Sequence, residues 1–345
     1  MGDFRHSGGE SHRWARIRRR LVTVPAVLVG LVLGWALVIP ALLVGLVLDL
    51  VNRRPASTAR VVLYGLWWLS VEAIGIVVAG VLWLRYAPTG GVIGIDARKA
   101  HSHVQHWWTQ CLVGGARALL GLRYSVQGIN DLAGEGPLVV LARHGSQGDA
   151  LLVASVLAQA SFRPRFVVKR QLLWDPCLDL YGHRIPNYFV DRNAHHNQAE
   201  IDNVGHLAEC MDPDEALVIF PEGTRFSSAK LRRAVAILRD VAPERLEEVS
   251  QLRHLLPIRT PGVLAILRCN TRADLVFLNH VGVTDFSSLV DLWRNTPLPS
   301  GLHFRVERIK RDRVPPVDQV DDLVRYLDRC WVGFDGWVAD QGLGP

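Results

Sequence analysis

The apolar positions are concentrated at the start of the chain, in two runs separated by a short polar segment. The first run, from Leu21 to Leu48, contains no charged residue and exceeds the roughly 20 residues that a membrane-spanning helix needs. The second run extends from Val61 to Leu84 and is followed by an arginine and a tyrosine, as is typical of a helix end at a membrane surface. The pattern predicts a two-helix membrane hairpin. A signal peptide is the alternative, but the first run is too long and no small-residue cleavage site is evident.

The basic residues around the hairpin predict its orientation. The arm before it is rich in arginine, whereas the turn between the two runs has fewer basic residues. The arginines of the arm are Arg5, Arg13, Arg16, Arg18, Arg19 and Arg20. Because basic segments stay on the cytoplasmic side, we expect the arm and everything after residue 86 in the cytoplasm, at a bacterial inner membrane. A hairpin that dips into one leaflet is the alternative, since the turn is itself fairly basic.

One ionisable residue, Glu72, lies in the middle of the second apolar run. Such a residue in a membrane segment is a candidate for function by default. The alternatives are a carboxyl group kept neutral, or one that faces the polar edge of a shallow hairpin. We favour these alternatives, because the residues suited to chemistry occur further along the chain.

Beyond residue 121 the pattern changes to short apolar runs that alternate with helical segments. The runs predicted as strands are Leu138–Leu141, Arg165–Val168, Tyr188–Val190, Leu217–Phe220, Leu275–Leu278 and Phe304–Val306. Such alternation is typical of helices that cover a sheet. The predicted fold class is α/β, with a mixed, largely parallel sheet flanked by helices and preceded by the membrane hairpin. The predicted organisation is a basic arm over 1–20, the hairpin over 21–90 and an α/β domain over 91–345.

Histidines and cysteines offer no clear metal site. Residues 96–120 are predicted to form an amphipathic helix near the membrane, which carries His101, His103 and His106. This spacing does not bring all three to one helix face, so we interpret them as surface histidines. The five cysteines are odd in number and lie at no metal-ligand or redox spacing, so we expect free thiols in a reducing compartment.

The net charge of +6 is compatible with an anionic membrane surface or an anionic substrate. A bias toward arginine in the composition explains the same charge. No basic stripe interleaved with aromatic residues stands out, so nucleic acid is not an expected partner.

The first candidate for chemistry follows the strand predicted at Leu138–Leu141. His144 and Asp149 lie five residues apart, across a turn that leads into a helix, so they can approach and pair. A carboxylate bound to one ring nitrogen fixes the tautomer of the histidine and supports its charged form. The other ring nitrogen can then accept a proton from a hydroxyl group.

Two further predicted strands end in arginine-containing segments. Arg192 follows the strand at Tyr188–Val190, and the segment Glu222 to Arg225 follows the strand at Leu217–Phe220. Within that segment, Gly223 permits close backbone approach, and Arg225 carries a planar fork suited to phosphate. The carboxyl ends of strands are where α/β sheets build their sites, so these groups are expected to act together.

Four blocks of the chain resemble the motifs of the 1-acylglycerol-3-phosphate acyltransferases, within the glycerolipid acyltransferase superfamily. The blocks are His144–Asp149, Phe189–Arg192, Phe220–Arg225 and His254–Gly262. The third block matches its motif fully, and the fourth is most similar to the lysocardiolipin and eukaryotic-type lysophosphatidate acyltransferase branch. Two positions depart from the family pattern: Arg143 replaces the usual asparagine, and Ile258 interrupts the fourth block.

The resemblance implies that His144 is a general base oriented by Asp149. It implies an acceptor site for the glycerol phosphate, made of Ser146, Phe189, Arg192, Glu222, Gly223, Thr224 and Arg225. The expected reaction moves a fatty-acyl group from acyl-CoA or acyl carrier protein to the hydroxyl of a lysophospholipid, with lysophosphatidic acid giving phosphatidic acid. No cofactor and no metal are implied, and the expected partners are membrane lipids, the acceptor and the acyl donor.

Three other interpretations stay open. The superfamily also contains transacylases, which take the acyl chain from a phospholipid. A non-catalytic lipid-binding membrane protein is a further alternative, although the complete first and third blocks argue against it. A serine hydrolase that uses Ser146 is disfavoured, because Gly145-Ser146-Gln147-Gly148 does not fit the G-x-S-x-G turn.

Overall fold

The computed structural model describes residues 11–89, 94–146, 148–190, 198–282, 289–298 and 301–341, apart from the side chains of residues 11–13. The described helices are α1 Ser11–Val51, α2 Ser57–Tyr86, α3 Ile95–Gly115, α4 Asp149–Gln159, α5 Pro176–Gly182, α6 Gln198–His206, α7 Ser228–Val241, α8 Leu246–Val249, α9 Thr260–Cys269, α10 Leu289–Asn295 and α11 Val320–Asp340. The described strands are β1 Tyr124–Gln127, β2 Leu138–Ala142, β3 Arg163–Lys169, β4 Tyr188–Val190, β5 Glu215–Ile219, β6 Asp274–Val281 and β7 Leu302–Ile309.

The chain divides into two compact units. The first contains the described residues of Met1–Leu120 and Lys169–Asn193, and the second those of Gly121–Val168 and Ala194–Pro345. Helices α1, α2, α3 and α5 and strand β4 therefore belong to the first unit. A segment from within the predicted 91–345 domain thus clusters with the apolar helices.

The first unit is built on two apolar helices, as the sequence predicts. Trp14–Val51 and Ser57–Tyr86 are long and apolar enough to cross a membrane, judged by length and composition. Helix α3 packs along α2, where the indole Nε1 of Trp67 donates to the carbonyl of Cys111 at 2.9 Å. Nearby, the hydroxyl of Tyr64 donates to the carbonyl of Leu112 at 3.3 Å. One face of α2 is therefore covered by protein.

The histidines of α3 do not all lie on the surface. His103 and His106 are exposed, but His101 is fully buried, so the prediction of a surface histidine is wrong at this position. The Nδ1 atom of His101 lies 2.5 Å from the carbonyl of Ala97, and its Nε2 lies 3.0 Å from the guanidinium of Arg184. His101 is buried because it shares the face of α3 that packs inward, whereas the other two point away from it.

Glu72 of α2 is buried and bound by groups from two other helices. The indole Nε1 of Trp108 on α3 donates to its Oε1 at 2.7 Å, and the backbone N–H of Cys177 on α5 donates to its Oε2 at 3.3 Å. Asp175, just before α5, is affected by this carboxyl group. Its own burial is the main cause and the Glu72 carboxyl group the second cause that raise the pKa of Asp175 to about 8. These contacts fit the structural role favoured for Glu72, because they join three helices through one side chain.

The arginines at the start of α1 meet a buried carboxylate. Arg19 and Arg20 donate to Asp179 of α5 at 2.5 and 2.9 Å, and the Asp179 side chain is fully buried. Burial alone would favour the neutral acid, but bonds from His183, Arg19 and Arg20 outweigh it and lower the pKa of Asp179 to about 2. The basic arm is therefore attached to the first unit through Asp179.

The second unit contains a mixed, largely parallel sheet, which confirms the predicted fold class. Its strand order is β1-β7-β6-β2-β5-β3, with every neighbouring pair parallel except the antiparallel pair β6 and β7. All five residues of β2 are completely buried. Strands buried on both faces read as continuous apolar runs, which explains why β2 is recognisable in the sequence. Its carboxyl end, in the middle of the sheet, carries the candidate site.

We expect Asp179→Asn to destabilise the protein by about 2 kcal/mol at neutral pH, because the variant loses the bonds that hold the pKa of this carboxyl group at about 2 in the folded protein. The carboxylate contributes this stability above its unfolded-state pKa near 4, and loses it as the pH falls through about 2. The difference between wild type and variant should therefore shrink from pH 4 toward pH 2. Thermal unfolding of the detergent-solubilised protein measures it, with the exposed Asp96→Asn as control. Equal unfolding temperatures for wild type and Asp179→Asn at pH 7 would contradict the expectation.

Candidate active site

The first predicted pair forms at the carboxyl end of β2. The chain leaves the strand at Ala142, turns, and begins α4 at Asp149, which is 1% exposed. The Nδ1 atom of His144 lies 3.1 Å from Oδ2 of Asp149. The His144 ring also packs on Phe220, with ring centroids 5.3 Å apart. The histidine is therefore fixed on one side by a carboxylate, and its Nε2 is the ring nitrogen left for another partner.

Ser146 contributes to the same turn. Its backbone N–H donates to both oxygens of Asp149, at 3.0 and 2.8 Å, and its hydroxyl donates to Oδ1 at 2.5 Å. The hydroxyl oxygen of Ser146 also accepts the backbone N–H of Gly148 at 3.1 Å. These bonds explain how two residues five apart are brought together: the Asp149 carboxylate closes the turn in front of α4.

Asp149 is ionised although it is buried. Burial of the carboxyl group raises its pKa, but the electrostatic interaction with the neighbouring His280 ring and the bonds from His144 and Ser146 together hold the pKa below its usual range. Its place in the first turn of α4 also favours a negative charge. An ionised Asp149 is the form that can stabilise a protonated His144.

Glu222 links the first, third and fourth blocks of the sequence. Its Oε1 accepts the backbone N–H of His144 at 2.8 Å, and its Oε2 accepts that of Leu256 at 2.9 Å. Burial raises the pKa of Glu222 to about 7, although both backbone bonds and Arg143 oppose the shift. The carboxyl group therefore holds the histidine-bearing turn against the fourth block. A contact between Glu222 and the acceptor stays a prediction.

The third block forms a tight, cation-rich turn. Gly223 has a φ of +69°, and a Cβ atom there would lie 2.9 Å from the Nε of Arg259. The Nζ of Lys230 donates to the Thr224 hydroxyl at 3.1 Å and to the Arg225 carbonyl at 2.9 Å. Three cationic side chains thus belong to this turn or contact it, which suits a site for a phosphate group.

Arg143, which stands where the motif of the first block usually has asparagine, is buried and binds backbone carbonyl groups. It is 7% exposed, and its guanidinium donates to the carbonyls of His280 at 2.6 Å and His254 at 3.4 Å. Glu222, Asp149 and Asp335 offset its charge in the interior. Arg143 thereby connects β2 with β6 and with the fourth block.

Helix α11 holds the fourth block in place. Asp335 accepts backbone N–H groups from Arg253, His254 and Leu255 at 2.9, 2.7 and 2.7 Å. One turn earlier, the indole of Trp331 donates to the carbonyl of Leu256 at 2.9 Å. The amphipathic pattern from Val317 to Gln341 predicts this helix but not its contacts, since a buried aspartate on an amphipathic helix does not reveal its partners.

Two predicted residues lie outside this arrangement. Arg192 lies outside the described residues, so its role stays a prediction. Phe189, on β4, belongs to the first unit, where its ring packs against His183 with centroids 5.3 Å apart.

Among the described residues, no group of three or more His, Cys, Asp or Glu side chains is arranged to hold a metal ion. The cysteines are free thiols.

His280 is a residue that sequence reasoning missed. It is completely buried on β6, and its Nε2 lies 3.4 Å from Oδ1 of Asp149. The signal for it was the polar pair Asn279-His280 directly after the apolar run Leu275–Leu278. Polar side chains in the middle of a sheet are costly unless they serve a partner, so such a pair is worth singling out.

Comparisons with known proteins agree with these motifs. The sequence profile of the family described as Acyltransferase matches residues 123–245. The chain is similar to the 1-acyl-sn-glycerol-3-phosphate acyltransferase epsilon of Mus musculus, with 27% identity over 209 residues, covering 55% of this chain and 54% of that protein. The match therefore spans about half the length of this curated relative.

A solved structure shares the fold. The chain resembles the 1-acyl-sn-glycerophosphate acyltransferase PlsC of Thermotoga maritima, with a TM-score of 0.51 and 15% identity, covering 81% of this chain and 97% of that one. At this identity the likeness concerns the fold alone. Residues 123–245 therefore match the Acyltransferase family, and the four sequence blocks, the curated relative and the shared fold agree with the resemblance to the 1-acylglycerol-3-phosphate acyltransferases.

Proposed function

We propose that this protein is a membrane-bound acyltransferase that moves a fatty-acyl group from acyl-CoA or acyl carrier protein to the free hydroxyl of a lysophospholipid. The acceptor that fits the family best is lysophosphatidic acid, which gives phosphatidic acid. The observation that carries the proposal is the pairing of His144 with a buried, ionised Asp149, next to a turn that bears cations.

The proposed reaction is a direct transfer. The acceptor hydroxyl gives its proton to Nε2 of His144 while its oxygen attacks the carbonyl carbon of the thioester. A new C–O bond forms, the C–S bond breaks, and the departing thiolate takes the proton to leave as a thiol. Asp149 stabilises the imidazolium in between. Holding the thioester and the hydroxyl together contributes much of the rate, and none of these steps needs a metal or a cofactor.

The proposed acceptor site centres on the third block. Arg225 is expected to bind the phosphate with Arg192, Gly223 and Thr224, while Lys230 and Arg259 add positive charge. Ser146, Phe189 and Glu222 complete the predicted acceptor site. The bonds of Ser146 and Glu222 to the protein suit them to shaping the site around the acceptor.

The proposed location is a bacterial inner membrane, with the catalytic unit on the cytoplasmic side. Two long apolar helices and the arginines of the arm support this orientation. A lysophospholipid acceptor would reach the protein from the same membrane.

We expect His144→Ala to remain folded and membrane-bound, with a loss of at least about 100-fold in acyl transfer, the usual contribution of a general base. Asp149→Asn should also be strongly impaired, because the amide cannot stabilise the imidazolium. Transfer of labelled acyl chain from acyl-CoA to lysophosphatidic acid, measured with purified protein, gives the rates. His206→Ala, at an exposed histidine of the same unit, is the matched control. Near-normal turnover in His144→Ala would exclude the proposed base.

We expect Arg225→Ala to lower transfer to lysophosphatidic acid about 10- to 100-fold and transfer to a neutral monoacylglycerol much less. The reason is the loss of charge-assisted bonds to phosphate, each worth about 1.5–3 kcal/mol. Comparing kcat/KM for the two acceptors measures the difference, with the exposed Arg239→Ala on α7 as control. Equal losses on both acceptors would instead indicate a structural role for Arg225.

We expect no acyl-enzyme on Ser146, because its hydroxyl donates to Asp149 and not to His144. Ser146→Ala should retain measurable activity, reduced by the loss of one bond to a carboxylate. Incubation of wild type with labelled acyl-CoA and no acceptor, followed by denaturation, should leave the protein unlabelled. The exposed Ser250→Ala is the control variant. A stoichiometric label that disappears in Ser146→Ala but not in Ser250→Ala would overturn direct transfer.

A further inference from the structure

The Asp149 carboxylate faces histidines on both of its oxygens. Oδ2 lies 3.1 Å from Nδ1 of His144, and Oδ1 lies 3.4 Å from Nε2 of His280. The two rings differ in environment: the His144 side chain is 14% exposed, whereas that of His280 is completely buried. Only His144 can therefore meet a substrate, whereas His280 can act only through Asp149.

The position of His280 is fixed from several sides. Its ring packs on Phe304 of β7, with centroids 5.5 Å apart, and its carbonyl accepts a 2.6 Å bond from Arg143. The backbone of β6 is in register with β2 next to it, with Leu278 opposite Ala142. A side chain held by the middle of the sheet is a more rigid support for Asp149 than a loop residue would be.

The charge around His280 indicates which protons it carries. The titratable and charged groups that face it are Asp149 from α4 and Arg143 and His144 from the segment after β2. Burial lowers the pKa of His280, Asp149 opposes the shift, and Arg143 and His144 add to it. The ring is therefore neutral near pH 7, with one N–H, and an anionic oxygen at Nε2 favours the tautomer that carries the proton there.

We infer that His280 is a positioning residue for the proposed acyl transfer: it donates its Nε2–H to Oδ1 of Asp149 and holds that carboxylate toward His144. This inference rests on the function proposed above. Ser146 and His144 donate to the two oxygens of Asp149, while neither ring nitrogen of His280 has a hydrogen-bond partner among the described residues. The proposed bond closes the 3.4 Å separation between Nε2 and Oδ1, gives the buried ring its partner and adds a donor on the side of Asp149 away from His144. The carboxylate is then kept from rotating, so His144 keeps its Nδ1–H tautomer and presents Nε2 to the acceptor.

A matched pair of substitutions tests this role. Glutamine and methionine are unbranched and similar in length, but only glutamine carries an N–H donor near the position of Nε2. We expect His280→Met to lower kcat about 10- to 100-fold with KM for both substrates within about twofold, since small misplacements of a catalytic group have effects of this size. His280→Gln should recover most of kcat. Asn279→Leu, on the opposite face of the same strand, is the control and should keep kcat within about twofold.

Comparing the unfolding temperature with kcat in the two variants distinguishes a positioning role of His280 from a packing role. If His280 only fills space, the apolar methionine should match or exceed glutamine in both unfolding temperature and kcat. The inference requires the opposite order in kcat, with glutamine above methionine, whatever the order in unfolding temperature. Equal kcat for His280→Gln and His280→Met, both near wild type, would overturn it.

A measurement that does not depend on turnover tests the role of His280 separately from the proposed function. Nitrogen-15 spectra of histidine-labelled protein in detergent at pH 7, with the His280 signals assigned by their loss in His280→Gln, should show a neutral ring protonated at Nε2. A ring protonated at Nδ1 or at both nitrogens would overturn the inference even in an active enzyme. An Nε2–H ring in a protein that transfers no acyl chain to any lysophospholipid would instead refute the proposed function, and with it the positioning role.

Discussion

An ionised carboxylate removed from water at the carboxyl end of β2 is the constraint on which the site depends. A buried charge is tolerated only when donors surround it, and Asp149 accepts them from its own turn, with the ring of His280 on β6 lying 3.4 Å from its other side. This requirement fixes the turn after β2, the start of α4 and the orientation of the His144 ring together. The group that would take a proton in catalysis is therefore placed by the same bonds that make the buried aspartate acceptable.

Buried carboxyl groups also join distant segments elsewhere in the second unit. Glu222 accepts backbone N–H groups from the first and fourth blocks, and Asp335 accepts one from Arg253 and two from the start of the fourth block. Irregular segments at a sheet edge have backbone donors that no ladder satisfies, and buried carboxylates satisfy them. Arg143 donates to backbone carbonyl groups of β6 and the fourth block in the same way, which explains how a buried arginine is accommodated at this position.

In the first unit, ionisable side chains attach long apolar helices to polar ones. Asp179 binds the arginines at the start of α1, and Glu72 joins α2 to α3 and α5. Apolar contacts alone would leave such helices free to slide or rotate against each other, because they have no direction. A hydrogen-bonded carboxyl group has direction, so each one defines a register. These carboxyl groups therefore fix how the two long apolar helices pack within the first unit.

The sequence by itself determined the features that depend on neighbouring residues. The buried run at Leu138–Leu141, the two apolar helices and the pairing of His144 with Asp149 all follow from periodicity or from a five-residue turn. Strand β1 was not among the predicted runs, because its alternating exposure over four residues is too short a signal. Only the tertiary structure decided that His280 faces Asp149, that Glu222 reaches His144 from 78 residues away, and that His101 is buried. The physical reason is that these contacts depend on which strands and helices become neighbours. That choice is made by the packing of whole faces, which no local pattern encodes.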